Sequence, residues 1–264
     1  MNLKIEKVKE SRIKEVDFSK LSFGRTFADH MFICEYKDGK WQNPTIKPYG
    51  ALSLEPSASV FHYGQAVFEG MKAYKDDNGH VFLFRPQENY KRINKSCERL
   101  AMPAFPEEWF DKALRTLVDI DSEWIKPGFG NALYLRPFVI ATTPGVQASP
   151  AKDYLFIIIT APVQSYYSGD VRVKIADYYS RAANGGFGFA KAAGNYAGQF
   201  YPTQQAAAEG YQQVMWTDDA THQFLEEAGT MNLWFRFGDT LVTCPTSERI
   251  LDGVTRKSII AVAE

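Results

Sequence analysis

Lys191 stands in the stretch GGFGFAKAAGNYAG, among glycines and small apolar residues, with Tyr196 five positions on. Few carboxylates lie near it in sequence, and thin backbone lets a flat ligand lie close. Burial of an ammonium disfavours its charged form and frees the neutral amine to attack a carbonyl carbon, so the chemistry this setting suits is Schiff-base formation. By its flanks alone the residue reads more readily as a surface or structural lysine, since such lysines greatly outnumber catalytic ones. Other groups add to it. Gly253, Val254 and Thr255 open the last helix, whose unsatisfied N–H groups and dipole attract phosphate. Tyr134, Arg136 and Phe138 alternate along a strand and so share one face, offering a hydroxyl, a cation and an aromatic wall together. Glu226 and Glu227 are adjacent on an extended segment, so only one of them can face a given site. The four histidines are scattered, and Cys34, Cys97 and Cys244 show neither CxxC nor paired metal spacing, so no metal is expected.

The elements that must carry these residues are α+β in kind. Residues 30–36, the turn 37–39 and Lys40-Trp41 predict the start of a meander, and 71–75 with 80–84 flank the hairpin signal DDNG. Pro86 suits a first helical position, and 87–100 carries apolar residues at Tyr90, Ile93, Cys97 and Leu100. A second helix is predicted over 106–124, then strands over 132–141 and 154–161. Together these make an α+β domain over 1–163. Residues 164–169 have the composition of a linker, and 170–264 form a second domain. In it, strands are expected at 171–176, 213–216, 223–227, 233–237 and 240–244, with helices at 199–209 and 254–264. The chain stops within that last amphipathic pattern, and the second domain is expected to be incomplete.

Composition narrows the partners. At 264 residues, 45% hydrophobic and 23% charged, the chain suits a soluble two-domain protein. A formal net charge of −1 argues against nucleic acid. The first 18 residues contain no signal-peptide core, and the most apolar run, 154–160, has the length of a strand, so no membrane role is expected. An odd number of cysteines without pairing suggests reduced, mostly buried thiols in the cytoplasm.

The segments FGRTFADHM (23–31), FHYGQAVFEGMKAY (61–74), YLRPFVIAT (134–142), AKAAGNYAG (190–198), EEAGTMN (226–232) and LDGVTRKS (251–258) occur in the order and at the spacings of a known family. They resemble the branched-chain amino acid aminotransferases, fold type IV enzymes that use pyridoxal 5'-phosphate (PLP). The resemblance implies the two-domain α+β fold of those enzymes and of D-amino acid aminotransferase. It implies that Lys191 holds PLP as a Schiff base and carries the proton in catalysis, and that Tyr196 hydrogen-bonds the cofactor's phenolic oxygen. Glu227 is implied as partner of the pyridinium nitrogen, which leaves Glu226 to solvent. Arg92, one cation on a helix face with Lys91, Lys95 and Arg99, is implied to bind the phosphate together with Gly253, Val254 and Thr255. Phe23, Tyr63 and Phe68 match an aromatic substrate cage, Tyr134 and Arg136 line the pocket near the substrate carboxylate, and Gly145 and Val146 resemble a loop that reaches across a homodimer interface. The implied reaction passes the amino group of leucine, isoleucine or valine to 2-oxoglutarate. Other type IV chemistry, that of D-amino acid aminotransferases or aminodeoxychorismate lyases, and a non-catalytic PLP-binding fragment are the alternatives.

Overall fold

The computed structural model of the chain describes residues 2–165 and 169–264, and it separates into two compact units, Met1–Tyr166 and Tyr167–Glu264. Residues 166–168 of the expected linker lie outside the described residues.

The first unit runs β1 (Lys4–Ile5), β2 (His30–Lys37), β3 (Lys40–Pro48), α1 (Ser59–Tyr63), β4 (Ala66–Phe68), β5 (Met71–Lys75), β6 (Val81–Leu83), α2 (Pro86–Arg99), α3 (Glu107–Ile120), β7 (Ala132–Ala141) and β8 (Tyr154–Val163). Among the described residues its strands make one eight-stranded sheet in the order β1-β3-β2-β8-β7-β5-β6, with β4 added against β7. The β2–β3 turn is the one the sequence signals: Asp38 and Gly39 both take positive φ, 53° and 75°, which matches the twist of the strands they join. Along β7 every second side chain is buried, Leu133, Leu135, Val139 and Ala141 among them, while Tyr134, Arg136 and Phe138 share the more open face. The buried face packs with Ile93 and Cys97 of α2 and Phe110, Leu114 and Leu117 of α3 into one core. Within it Phe105 stacks on Phe156 with ring centroids 3.8 Å apart. Burial of one such ring is worth about 2–3 kcal/mol.

The second helix stops earlier than the periodicity suggests. The α-helix ends at Ile120, and Ser122–Trp124 form a single 3-10 turn. The physical reason is Asp121, whose buried carboxylate accepts the backbone N–H of His30 at 3.1 Å and contacts His30 Nδ1 at 2.6 Å. His30 Nε2 accepts the Val8 N–H at 3.0 Å, which places the ring proton on Nδ1. Next to it, Asp29 accepts from Ser11 Oγ at 2.5 Å, Arg12 N at 3.0 Å and Trp124 Nε1 at 2.9 Å. These contacts fasten the N-terminal segment to the sheet and to the turn after α3.

The second unit contains β9 (Val173–Ile175), α4 (Ala193–Ala197), α5 (Phe200–Ala208), β10 (Gln213–Thr217), β11 (Leu225–Ala228), β12 (Met231–Asn232), β13 (Trp234–Phe237), β14 (Thr240–Thr243) and α6 (Val254–Ala263). Its sheet runs β12-β11-β10-β9, with β9 parallel to β10 and the other pairs antiparallel, and β13 and β14 form a separate hairpin. Ala176, Ala206, Val214 and Trp216 make a small core under α5. Pro202 falls in the first turn of α5, where a missing N–H does no harm.

Candidate active site

Lys191 ends the glycine-rich loop just before α4, and Tyr196 lies within that helix. The Lys191 ammonium donates to the Tyr196 hydroxyl at 2.9 Å, and both residues are half-buried. The loop is held by the Asn195 amide, which donates to the carbonyls of Phe187 at 2.9 Å and Ala190 at 3.0 Å. Gly188 has no alternative: a Cβ there would overlap Ala182 and approach the Arg249 carbonyl to 2.7 Å.

Glu227 sits in β11, the strand between β10 and β12. Its buried carboxylate accepts from Arg181 NH1 at 2.7 Å, from the Asn232 amide at 3.3 Å and from the Leu251 N–H at 3.3 Å. Burial pushes the Glu227 carboxyl up to about 7, against the opposing pull of the Arg181 guanidinium, the Leu251 N–H and the Lys191 ammonium. Asn232 also donates to the Leu251 carbonyl at 2.9 Å, and a Cβ on Gly253 would overlap its Oδ1. The N-terminus of α6, where Gly253 is the capping residue and Val254 and Thr255 begin the helix, is thereby tied to Glu227 through Asn232.

The expectation that Glu226 faces solvent is wrong. Glu226 is 4% exposed and pairs with Arg249, whose guanidinium also bonds Asn184. A glutamate is usually wet, but here Arg249 meets it on the other face of the strand and offsets the loss of water.

In the first unit, Arg92 on α2 forms a bidentate pair with Glu69, Nε to Oε1 at 2.6 Å and NH2 to Oε2 at 2.8 Å. Arg136 donates to the Tyr134 hydroxyl from Nε at 3.1 Å and NH2 at 2.9 Å, and its guanidinium lies 4.4 Å from the centroid of Phe68. Phe23 meets Tyr134 edge to face at 5.0 Å and lines a cleft of about 360 Å³ with Leu21, Ser22, Gln164 and Ser165. Phe23, Phe68, Tyr134 and Arg136 are thus brought together. Tyr63 does something else: at the end of α1, 44% exposed, it donates its hydroxyl to the Val146 carbonyl.

Residues 66–264 match the family model described as amino-transferase class IV. The chain belongs to the class IV aminotransferases. This class IV aminotransferase is 48% identical over 266 residues to branched-chain-amino-acid transaminase 1 of Bacillus subtilis (strain 168), a match that covers 98% of this chain and 75% of that protein. It shares its fold with the branched-chain aminotransferase of the archaeon Thermoproteus uzoniensis, solved with norvaline (TM-score 0.73, 22% identity, covering 89% of this chain and 74% of that one). The branched-chain amino acid aminotransferase of Thermobaculum terrenum in its PLP form is similar too (TM-score 0.70, 19% identity, covering 88% and 72%). The α+β architecture of a fold type IV aminotransferase therefore stands.

Three residues of this class IV aminotransferase's clusters escape the sequence reading: Arg181, Asn232 and Glu69. Arg181 carried a usable signal, being a lone cation in the same small-residue tract as Lys191. Glu69 carried one as well, as a carboxylate in the otherwise apolar run AVFEGM. Asn232 had none, since an asparagine after Gly-Thr-Met reads as turn chemistry.

Proposed function

We propose that the chain is a PLP-dependent branched-chain amino acid transaminase, moving the amino group of L-leucine, L-isoleucine or L-valine to 2-oxoglutarate to give the branched 2-oxo acid and L-glutamate. The observation that carries the reading is Lys191, an amine with the Tyr196 hydroxyl 2.9 Å from it, in the same unit as the buried Glu227 carboxylate. Its substrate class follows the Bacillus subtilis transaminase it resembles along nearly its whole length. The donor set suits PLP: an amine for its aldehyde, a hydroxyl for its phenolic oxygen, an anion for its ring nitrogen and, at Gly253, Val254 and Thr255, N–H groups of a helix N-terminus for its phosphate. When bound, PLP supplies an electron sink that stabilises the carbanion left when the substrate loses its Cα proton.

The chain's residues do the rest. Lys191 Nζ forms the covalent attachment and, once displaced by the incoming amine, moves the proton from the substrate Cα. The Tyr196 hydroxyl orients Nζ. Glu227 holds the proton on the ring nitrogen, and Arg181 and Asn232 hold Glu227. Arg92 is the phosphate's cation. Arg136 and Tyr134 bind the substrate carboxylate, with Phe23, Phe68 and Tyr63 as apolar walls for a branched side chain. Gly145 and Val146 serve a neighbouring protomer in a cytoplasmic homodimer.

Borohydride reduction of the yellow protein tests the reading: a pyridoxyl adduct on Lys191 by mass spectrometry supports it, and an adduct on any other lysine refutes it. Transfer from L-leucine with none from D-alanine supports the substrate class, and the reverse preference points to D-amino acid transfer.

A further inference from the structure

Glu69 is fully buried, at 0% exposure, in the two-residue link between β4 and β5. Its backbone N–H donates to the Pro137 carbonyl of β7 at 2.7 Å, which fixes where the side chain starts. Its carboxylate is surrounded by donors. Oε1 accepts from Arg92 Nε at 2.6 Å; Oε2 accepts from Arg92 NH2 at 2.8 Å, the Asn89 amide at 2.8 Å and the Gly70 N–H at 3.1 Å. Asn89 and Arg92 are three residues apart on α2 and so share a face, which lets one carboxylate meet both. A guanidinium is a rigid planar fork, so fixing Nε and one terminal nitrogen fixes the direction of every donor it carries.

We propose that Glu69 is a positioning residue for PLP binding: it touches no part of the cofactor and sets the guanidinium plane of Arg92 for the phosphate. The inference rests on Arg92 as the phosphate's cation. A lysine at 92 could not be held this way, because an ammonium on a flexible stem has no plane to fix. A neutral residue at 69 leaves a mostly buried guanidinium without its anion, and the fork takes another direction. The neighbouring Gly70 reaches the other recognition group of this unit, because a Cβ there would overlap the Tyr134 hydroxyl that Arg136 holds. One Glu-Gly dipeptide therefore sets both the phosphate's cation and the group offered to the substrate carboxylate.

The experiment compares the affinity of the full chain for PLP with that for pyridoxal, which has the same ring and aldehyde but no phosphate. Absorbance titrations of the cofactor-free protein give both constants for the unaltered chain, Arg92→Gln, Glu69→Gln, Glu69→Asp and the double variant Glu69→Gln/Arg92→Gln. The expected result is that Arg92→Gln and Glu69→Gln each lower the PLP-to-pyridoxal affinity ratio at least tenfold, with pyridoxal affinity changed less than threefold. The double variant should match Arg92→Gln alone. General damage to the fold would weaken both ligands together and leave the ratio in place. If Arg92→Gln lowers the ratio and Glu69→Gln does not, the proposal is overturned and the role of Arg92 survives. If Arg92→Gln itself leaves the ratio unchanged, the phosphate reading falls and takes the proposal with it. Should Glu69→Gln yield no folded protein, Glu69→Asp decides: its carboxylate, set back by one methylene, cannot reach both guanidinium nitrogens, so a reduced ratio supports the proposal and an unchanged one overturns it.

Discussion

Glu226 and Glu227 are adjacent in β11, occupy opposite faces of it and are both buried, each against a different arginine. Arg181, the partner of Glu227, also donates to the Arg249 carbonyl at 3.0 Å, while the Arg249 side chain is the partner of Glu226. The two pairs are interlocked. They join the loop that presents Lys191 to the segment that leads into α6, so neither can shift without straining the other.

Glu227 makes the stability of the cofactor-free protein fall with pH. Its carboxyl moves from an ordinary 4.5 to about 7 in the folded chain, chiefly through burial. A raised folded value means that the stabilisation is complete below pH 4.5 and is lost as pH rises toward 7, because the folded form holds a proton that the unfolded form has released. The full loss is on the order of 3 kcal/mol at about 1.4 kcal/mol per unit. Glu227→Gln should remove this slope. Urea unfolding of both proteins between pH 4.5 and 8 checks it: the unaltered chain should lose stability relative to the variant as pH rises, and parallel curves would exclude the effect.

Gly70→Ala should weaken substrate binding before it weakens the fold. The new methyl overlaps the Tyr134 hydroxyl and pushes it from the bonds it accepts from Arg136. Displacing one well-placed polar group costs about 1–3 kcal/mol, so KM for leucine should rise roughly tenfold or more while PLP affinity stays near its original value. An unchanged KM would mean that Tyr134 and Arg136 do not contact the substrate.

Asp29→Ala should release the N-terminal segment. It removes the acceptor of Ser11, of the Arg12 N–H and of the buried Trp124 indole at once. The expected loss is about 2–4 kcal/mol, most of it from the stranded indole N–H. Hydrogen exchange should quicken at Val8 and Arg12 and stay slow in β7; equal quickening in both would indicate a general loosening instead.

Local patterns carried much of the fold. The strand at 132–141 matches β7 at both ends, because its alternation is caused by one face packing on α2 and α3. Lys191 and Tyr196 stand five residues apart in one short tract, which the sequence marked, but the bond between them was not among its expectations. What sequence could not supply were long-range partners. The helix over 106–124 overran because Asp121 turns to His30, 91 positions away. Glu226 was misplaced because Arg249 lies 23 positions on, and the spacing of a charge pair leaves no periodic trace. Glu69 and Arg92 likewise meet across 23 residues and two kinds of element.

The place of β8 bears on how the chain folds as it is made. It is the last strand of its sheet in sequence, yet it lies between β2 and β7 and is the seam that joins the β1-β3-β2 side to the β7-β5-β6 side. Hairpins such as β2–β3 and β5–β6 can form as they leave the ribosome, but the two halves have no common strand until Tyr154–Val163 emerges. Until then Phe32 and Cys34 of β2, whose register partners are Ile158 and Phe156 of β8, have no strand to cover that edge. The first unit therefore cannot close its sheet before Val163 has been made.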